Sequence, residues 1–342
     1  MRRLLIDSDV EAMAFEYKQK LDNYKKEIVD ALDDLSGKLN RKHTITRKTK
    51  KGMAKLKRNE VSRYHNYVAK LRSDYSSDTL TLLRPNSFET TFDLYNNLLD
   101  INELTAKISI DKDKEESLAS RLISVLGYNK FVRQGVYPSL IHQMGIKTCV
   151  YCNANYAVTT KDGNGYFEID HWKPESKYPF LSTSFYNLQP CCPYCNKRKG
   201  ADRERQYFKL YEEDKNVPLN VFEFQIPRGA LLRYIIKNDL NHLKITFKAA
   251  DPSYEQVRND AEYKFGIEEL YNEHIDVVEE MMWKAKFYNN VIIGSMTWLF
   301  RERHPVLDVA RFKLGTYANE DEVHKRPLTK MMQDIGKQLM VI

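Results

Sequence analysis

Five cysteines lie between positions 149 and 195, and four of them form two Cys-x-x-Cys pairs: Cys149 with Cys152, and Cys192 with Cys195. Each pair can sit on a tight knuckle, and four thiolates close one tetrahedral zinc site. Such a site leaves the ion no open position, so its expected role is structural. In a reducing compartment this spacing favours metal over disulfides. Cys191 is the odd thiol, expected to be packed, with a swap of ligand role with Cys192 as the alternative. Asp170-His171 and Asn187 lie between the pairs, and Asn196 follows the last cysteine directly. A zinc ion pinning both ends of this loop would bring the four polar side chains together.

Those residue types suit hydrolysis of a phosphodiester. A histidine near neutrality can take a proton from the attacking water. A divalent ion neutralises charge on the phosphate and on the leaving oxygen. Asp170 offers an anionic oxygen and Asn196 a neutral one, hard ligands that suit Mg²⁺ or Mn²⁺. Asp170 and His171 are adjacent, so on an extended chain they should point to different sides. Asn187 can bond both an N–H and a C=O, and so fasten the loop that bears His171. Lys173, Lys177, Lys197, Arg198, Lys199, Arg203 and Arg205 flank the stretch. Among them Lys199, about one helical turn past Asn196, is the first candidate for substrate phosphate, with Lys173, Lys197 and Arg198 beside it.

EIDHWKP at 168–174 and YNLQPCCPYCNKRKG at 186–200 carry a resemblance. They are similar to the HNH nuclease family, whose fold is a ββα-metal unit on a treble-clef zinc frame. The resemblance implies that Asp170 and Asn196 hold the catalytic ion, that His171 is the general base and that Asn187 orients it. It also implies that Cys149, Cys152, Cys192 and Cys195 hold the structural zinc. The last position is Asn196 where the family name expects histidine, and its oxygen can still ligate. The layout further resembles the HNH subunit of Septu-type phage-defence systems, including those attached to retrons. That implies an antiviral role beside an ABC-type ATPase. The chain has no Walker-type glycine loop of its own. The expected function is therefore a metal-dependent endonuclease acting on DNA. The alternatives are an RNA nuclease of the tRNA-cutting kind and a non-catalytic zinc module that binds nucleic acid or protein.

The elements that must position this stretch are mostly helical. The chain has 342 residues, 42% hydrophobic and 30% charged, as expected of a globular protein. MRRLLIDSDV lacks a signal-peptide apolar region, and VIIGSMTWLF at 291–300 is too short to span a bilayer, so no membrane and a cytoplasmic location are expected. Ten basic and no acidic residues fall between Leu35 and Asn59, more than the net +7 of the whole chain, so the remainder is net acidic. Such a segment suits contact with phosphate backbone. The expected fold class is α+β and mostly helical, in three parts: 1–140 helical with the basic segment at 35–59, 141–215 the zinc-framed nuclease module, and 216–342 short strands then helices. Ser8 and Glu11 suggest a capping box, and Gly37 a helix stop. Helical spacing recurs at 61–71, 94–104 and 118–126. Asp162-Gly163-Asn164-Gly165 suggests a hairpin joining strands near 156–160 and 166–170. Pro193 suits the first turn of a helix. Leu231–Ile236 and Leu243–Phe247 read as strands, and Asp251-Pro252 as the start of further helices.

Overall fold

Apolar residues three and four apart bury one side of each N-terminal helix. Ala14, Tyr17 and Leu21 do so in Ser8–Asp22, Ile28, Leu32 and Leu35 in Lys25–Asn40, and Tyr64, Val68 and Leu71 in Arg58–Ser76. The computed structural model describes residues 1–40, 44–49, 52–110, 114–161, 163–202, 204–287, 295, 298 and 308–341. The fold is a mixture of helices and small sheets. One buried apolar cluster runs from Met1 to Ile335.

The first helix is capped differently from expectation. Asp7 is the cap, its Oδ1 accepting from the N–H of Asp9 at 3.1 Å and of Val10 at 3.0 Å. A carboxylate already satisfies those donors, so Ser8 becomes the first helical residue and Glu11 turns to pair with Arg84. Gly37 does not stop its helix, because buried Leu35 and Leu39 on either side hold the last turn against the core. The basic segment forms an antiparallel ribbon, Ile45–Thr49 with Gly52–Lys55, extended by Lys107–Ile110 and Glu116–Ser117. Two of its charges find acids just outside the window: Lys38 meets Asp34 at 2.7 Å and Arg47 meets Glu60 at 3.2 Å. Arg41, Lys42, Lys50 and Lys51 lie outside the described residues. The single helix expected over 94–104 is two, Phe88–Leu98 and Ile101–Thr105, because Asp100 caps the second with a 2.7 Å bond from the N–H of Asn102.

Leu118–Val125 is followed, across Leu126 and a left-handed Gly127, by a π-helix over Tyr128–Val136. Its wide turn is explicit where the N–H of Tyr137 reaches the carbonyl of Val132. Further on, the hairpin is shorter than expected. Val158–Thr159 pairs with Gly165–Tyr166, and the chain then switches partner, so that Glu168–His171 pairs with Leu188–Cys191. Asp162 lies outside the described residues. In the C-terminal part, Leu231–Ile236 is not a strand but lies in the helix Arg228–Lys237. Ala230 and Tyr234, four apart, bury one face, and Asn238 ends the helix in the left-handed region. The real strands are Phe222–Gln225 and Thr246–Ala249, the second starting later than expected because Asp239 caps a 3₁₀ turn at Leu240–His242. Among the described residues no helix is long and apolar enough to cross a membrane. Most of VIIGSMTWLF lies outside them.

Tyrosines fasten the N-terminal part to the central one. The hydroxyl of Tyr17 donates to the carbonyl of Thr183 at 2.8 Å, Tyr137 to Leu188 at 2.7 Å and Tyr128 to Ile169 at 3.3 Å. Tyr95 stacks on Phe180 with ring centroids 4.5 Å apart. A Cβ on Gly127, at φ +70°, would lie 2.1 Å from Cδ2 of Phe131, whose ring stacks on Tyr24 and is buried. Gly127→Ala should therefore cost about 1–3 kcal/mol of stability. Gly37→Ala, in a helix with open space around it, should instead add roughly 0.5–1 kcal/mol. Denaturant melts of the two variants check the opposite signs.

Candidate active site

The central unit is two antiparallel strands and a helix. Asp170 pairs with Gln189 and His171 with Leu188 in the ribbon, and Pro193–Lys199 follows as the helix. Proline in its first turn forfeits no hydrogen bond, and Gly200 ends it at φ +57°. Asp170, His171 and Asn196 line one cleft of about 520 Å³. Asp170 and His171, expected on different sides of the chain, both line this cleft. His171 is the last residue of its strand, where the chain turns into the 172–181 loop.

The His171 ring is held from several directions. Its Nε2 lies 2.9 Å from the carbonyl of Ser182. A carbonyl can only accept, so Nε2 donates and the lone pair of the neutral ring sits on Nδ1. Tyr128 packs on the ring with centroids 4.6 Å apart. Glu175 Oε2 lies 3.5 Å from Nε2, and it is buried without a hydrogen-bond partner among the described residues. Asn187, fully buried, staples the following loop. Its Nδ2 donates to the carbonyls of Lys173 at 3.0 Å and Leu181 at 3.2 Å, and its Oδ1 accepts from the N–H of Lys173 at 2.8 Å.

Asp170 is braced through one oxygen. Oδ2 accepts from the Tyr151 hydroxyl and from Lys199 Nζ at 2.9 Å, which leaves Oδ1 for an ion. Burial, then the Asp170 charge, pushes the Tyr151 phenol well above its usual range and keeps it a donor. Gln189 Nε2 donates to the same hydroxyl.

Lys199 is not placed to meet substrate. Its ammonium is buried against Asp170 and also donates to the carbonyl of His171. A helix this short turns its last residue under the ribbon, and the Asp170 charge holds it there. Lys173 pairs with Glu89 and lies over the Trp172 ring. Lys197 and Arg198 are exposed outside the cleft lining, Arg198 Nε donating to the carbonyl of Lys264 at 2.9 Å. Arg203 lies outside the described residues. Sequence reasoning missed Tyr128, Arg133, Tyr151 and Glu175. Only the last two stand inside recognisable motifs, CVYCN and DHWKPES.

The four cysteine sulfurs lie within 4.8 Å of one another, all buried. Burial first, then the neighbouring Cys152 and Cys192, drives the Cys149 thiol well above its usual range, and four adjacent thiolates would repel strongly in a dry interior. A soft divalent cation reconciles them, so the set could bind zinc. Asn155 Nδ2 points at Cys152 Sγ (3.8 Å) and Cys192 Sγ (3.7 Å), a donor shared by both pairs. Cys191 stands outside the cluster, its thiol 3.6 Å from the carbonyl of Glu168. The knuckle is also the C-terminal anchor. Buried Asn153, left-handed at φ +52°, donates to the carbonyl of Val323 at 2.9 Å and accepts from the N–H of Lys330 at 3.0 Å. Elemental analysis should accordingly find about one zinc per chain. Cys192→Ser should lose the metal and the folded central unit together, while Cys191→Ser should keep both. Folded, metal-free protein would contradict this.

Residues 149–202 match the family model for HNH endonuclease. The Septu protein PtuB of Bacillus thuringiensis is 36% identical over 59 residues, 17% of this chain and 21% of that protein. The likeness thus spans well under two thirds of the relative. No solved structure matches the chain. The chain carries an HNH endonuclease domain at 149–202, a ββα unit on a buried four-cysteine cluster.

Proposed function

We propose that this protein is a metal-dependent endonuclease that hydrolyses phosphodiester bonds in DNA. The observation that carries the reading is the composition of the cleft. His171, Asp170 and Asn196 share it, and its lining holds three carboxylates, Glu168, Asp170 and Glu175, against one cation, Arg133. An anionic phosphodiester would be repelled from such a surface unless a cation entered with it. Asp170 and Asn196 are the residues that would hold a divalent ion. Mg²⁺ or Mn²⁺ bound there supplies charge neutralisation on the phosphate and the leaving oxygen.

The chain's own groups do the rest. Ser182 fixes the ring so that Nδ1 of His171 faces its task with a free lone pair, and Nδ1 takes the proton of the attacking water. Glu175, 3.5 Å from Nε2, is placed to stabilise the positive charge that the ring then carries. Lys199 and Tyr151 keep Asp170 oriented, and Asn187 keeps the loop after His171 from drifting. The Septu likeness supports a further step: the chain serves as the nuclease of an anti-phage defence system under the control of an ABC-type ATPase. The long flanks at 1–140 and 216–342, which a bare nuclease does not need, fit a protein partner.

Plasmid, single-stranded DNA and total RNA, each incubated with the protein in Mg²⁺ and in Mn²⁺, test the reading. DNA cleavage is expected; cleavage of RNA alone would move the assignment to an RNA nuclease. His171→Ala should lose about 10²–10⁴-fold in rate while still binding substrate. Asp170→Ala should weaken metal affinity and be partly rescued by added metal. Folded variants with wild-type rates would leave only a zinc binding module. Co-purification from the native host should bring down an ATPase, and full activity of the isolated chain would argue against its control by one.

A further inference from the structure

We propose that Arg133 is the side chain that grips the substrate phosphate in this cleft. The proposal rests on the nuclease reading and supplies what that reading lacks, a cation of the protein's own facing the substrate. Among the described basic residues close to the motif, Lys199 is buried on Asp170, Lys173 is paired with Glu89, Arg205 is paired with Asp202 and Asp260, and Lys177, Lys197 and Arg198 lie outside the lining. Arg133 is the one lysine or arginine that lines the cleft among the described residues. It comes from the π-helix Tyr128–Val136, outside the 149–202 stretch that matches the nuclease family.

The helix type is what brings it there. Residues five apart on an α-helix lie about 140° apart around the axis, so Tyr128 and Arg133 would face different ways. Bonding from i to i+5 brings residues five apart onto one face. Tyr128 packs on the His171 ring, and Arg133 lines the same cleft. Among the described residues Arg133 is held by one ion pair, Nη2 to Glu168 Oε2 at 2.7 Å, with the side chains 47% and 31% exposed. A guanidinium has five donors in a planar fork. One contact leaves enough of them to take two phosphate oxygens together, the geometry in which arginine outperforms lysine. Glu168 thus competes with substrate for Arg133 and keeps it aimed into the cleft until substrate arrives.

The test uses full-length protein and the nucleic acid that wild type cleaves. Binding is measured in the His171→Ala background as fluorescence anisotropy of a labelled duplex across a salt series, and cleavage in the wild-type background. Arg133→Gln should weaken binding about ten-fold or more and reduce the salt slope by roughly one counterion. Arg133→Lys should restore the salt slope but not the cleavage rate, because the charge returns without the fork. Glu168→Gln should tighten binding when Arg133 is present and gain much less in the Arg133→Gln background. Thermal melts confirm that these half-exposed substitutions leave the protein folded. An Arg133→Gln protein that binds and cleaves as wild type, or an equal gain from Glu168→Gln with and without Arg133, overturns the proposal and leaves the nuclease reading intact. Wild-type protein that cleaves none of the nucleic acids, alone or with the ATPase that co-purifies with it, overturns both.

Discussion

Four buried sulfurs within 4.8 Å of one another are the constraint on which the rest depends. Two come from the knuckle before the ribbon and two from the start of the helix after it. Holding them together fixes the ribbon's two ends, and the ribbon sets Asp170 and His171 at its open edge. Asn196 is carried along because it stands one residue past Cys195, on the same helix. The same knuckle offers Asn153 to the C-terminal part, so the cysteine cluster, ribbon geometry and the docking of 323–330 are linked.

A second constraint lies under the cleft. Asp170 and Lys199 form a buried ion pair, with side-chain exposures of 8% and 0%. Burying two charges carries a desolvation cost of several kcal/mol that mutual attraction roughly offsets. The pair is therefore better understood as orientation than as stability. It holds Asp170 through one oxygen, and the helix C-terminus, where cations are favoured, receives the lysine. Removing either partner alone would strand a buried charge.

How much of this was legible in the sequence depends on distance along the chain. Cys149, Cys152, Cys192 and Cys195 were readable because ligand spacing is local. Asp170, His171 and Asn196 share one cleft, as the frame around and beside them led the sequence reading to expect. Pro193 and the Gly163 turn carry fixed backbone preferences, and the structure has both. The fate of Lys199 was not legible, because nothing local says that a terminal lysine turns inward to a carboxylate 29 positions earlier. Leu231–Ile236 reads as a strand on its apolar content, and the helix wins because burial falls on Ala230 and Tyr234 while Leu232, Ile235 and Ile236 stay exposed. The π-helix escaped for a stronger reason: periodic reading assumes 3.6 residues per turn, and here the turn is wider.

The cleft is consequently not a property of the 149–202 stretch alone. That stretch supplies His171, Asn196 and three carboxylates, Glu168, Asp170 and Glu175. The wall opposite comes from 128–133, through Tyr128 on the His171 ring and Arg133 beside Glu168. Tyr17, Tyr128 and Tyr137 tie the N-terminal part to backbone carbonyls around the ribbon, bonds that need the whole N-terminal packing to exist. A helical part that both closes the cleft and contributes its facing cation can alter the site by a small change in its own packing. Movement of the π-helix would lift Tyr128 off the His171 ring and withdraw Arg133 in one step, leaving His171, Asp170 and Asn196 in place. In such a fold a force that bears only on the two helices that meet at Gly127 would reach the cleft without touching His171, Asp170 or Asn196.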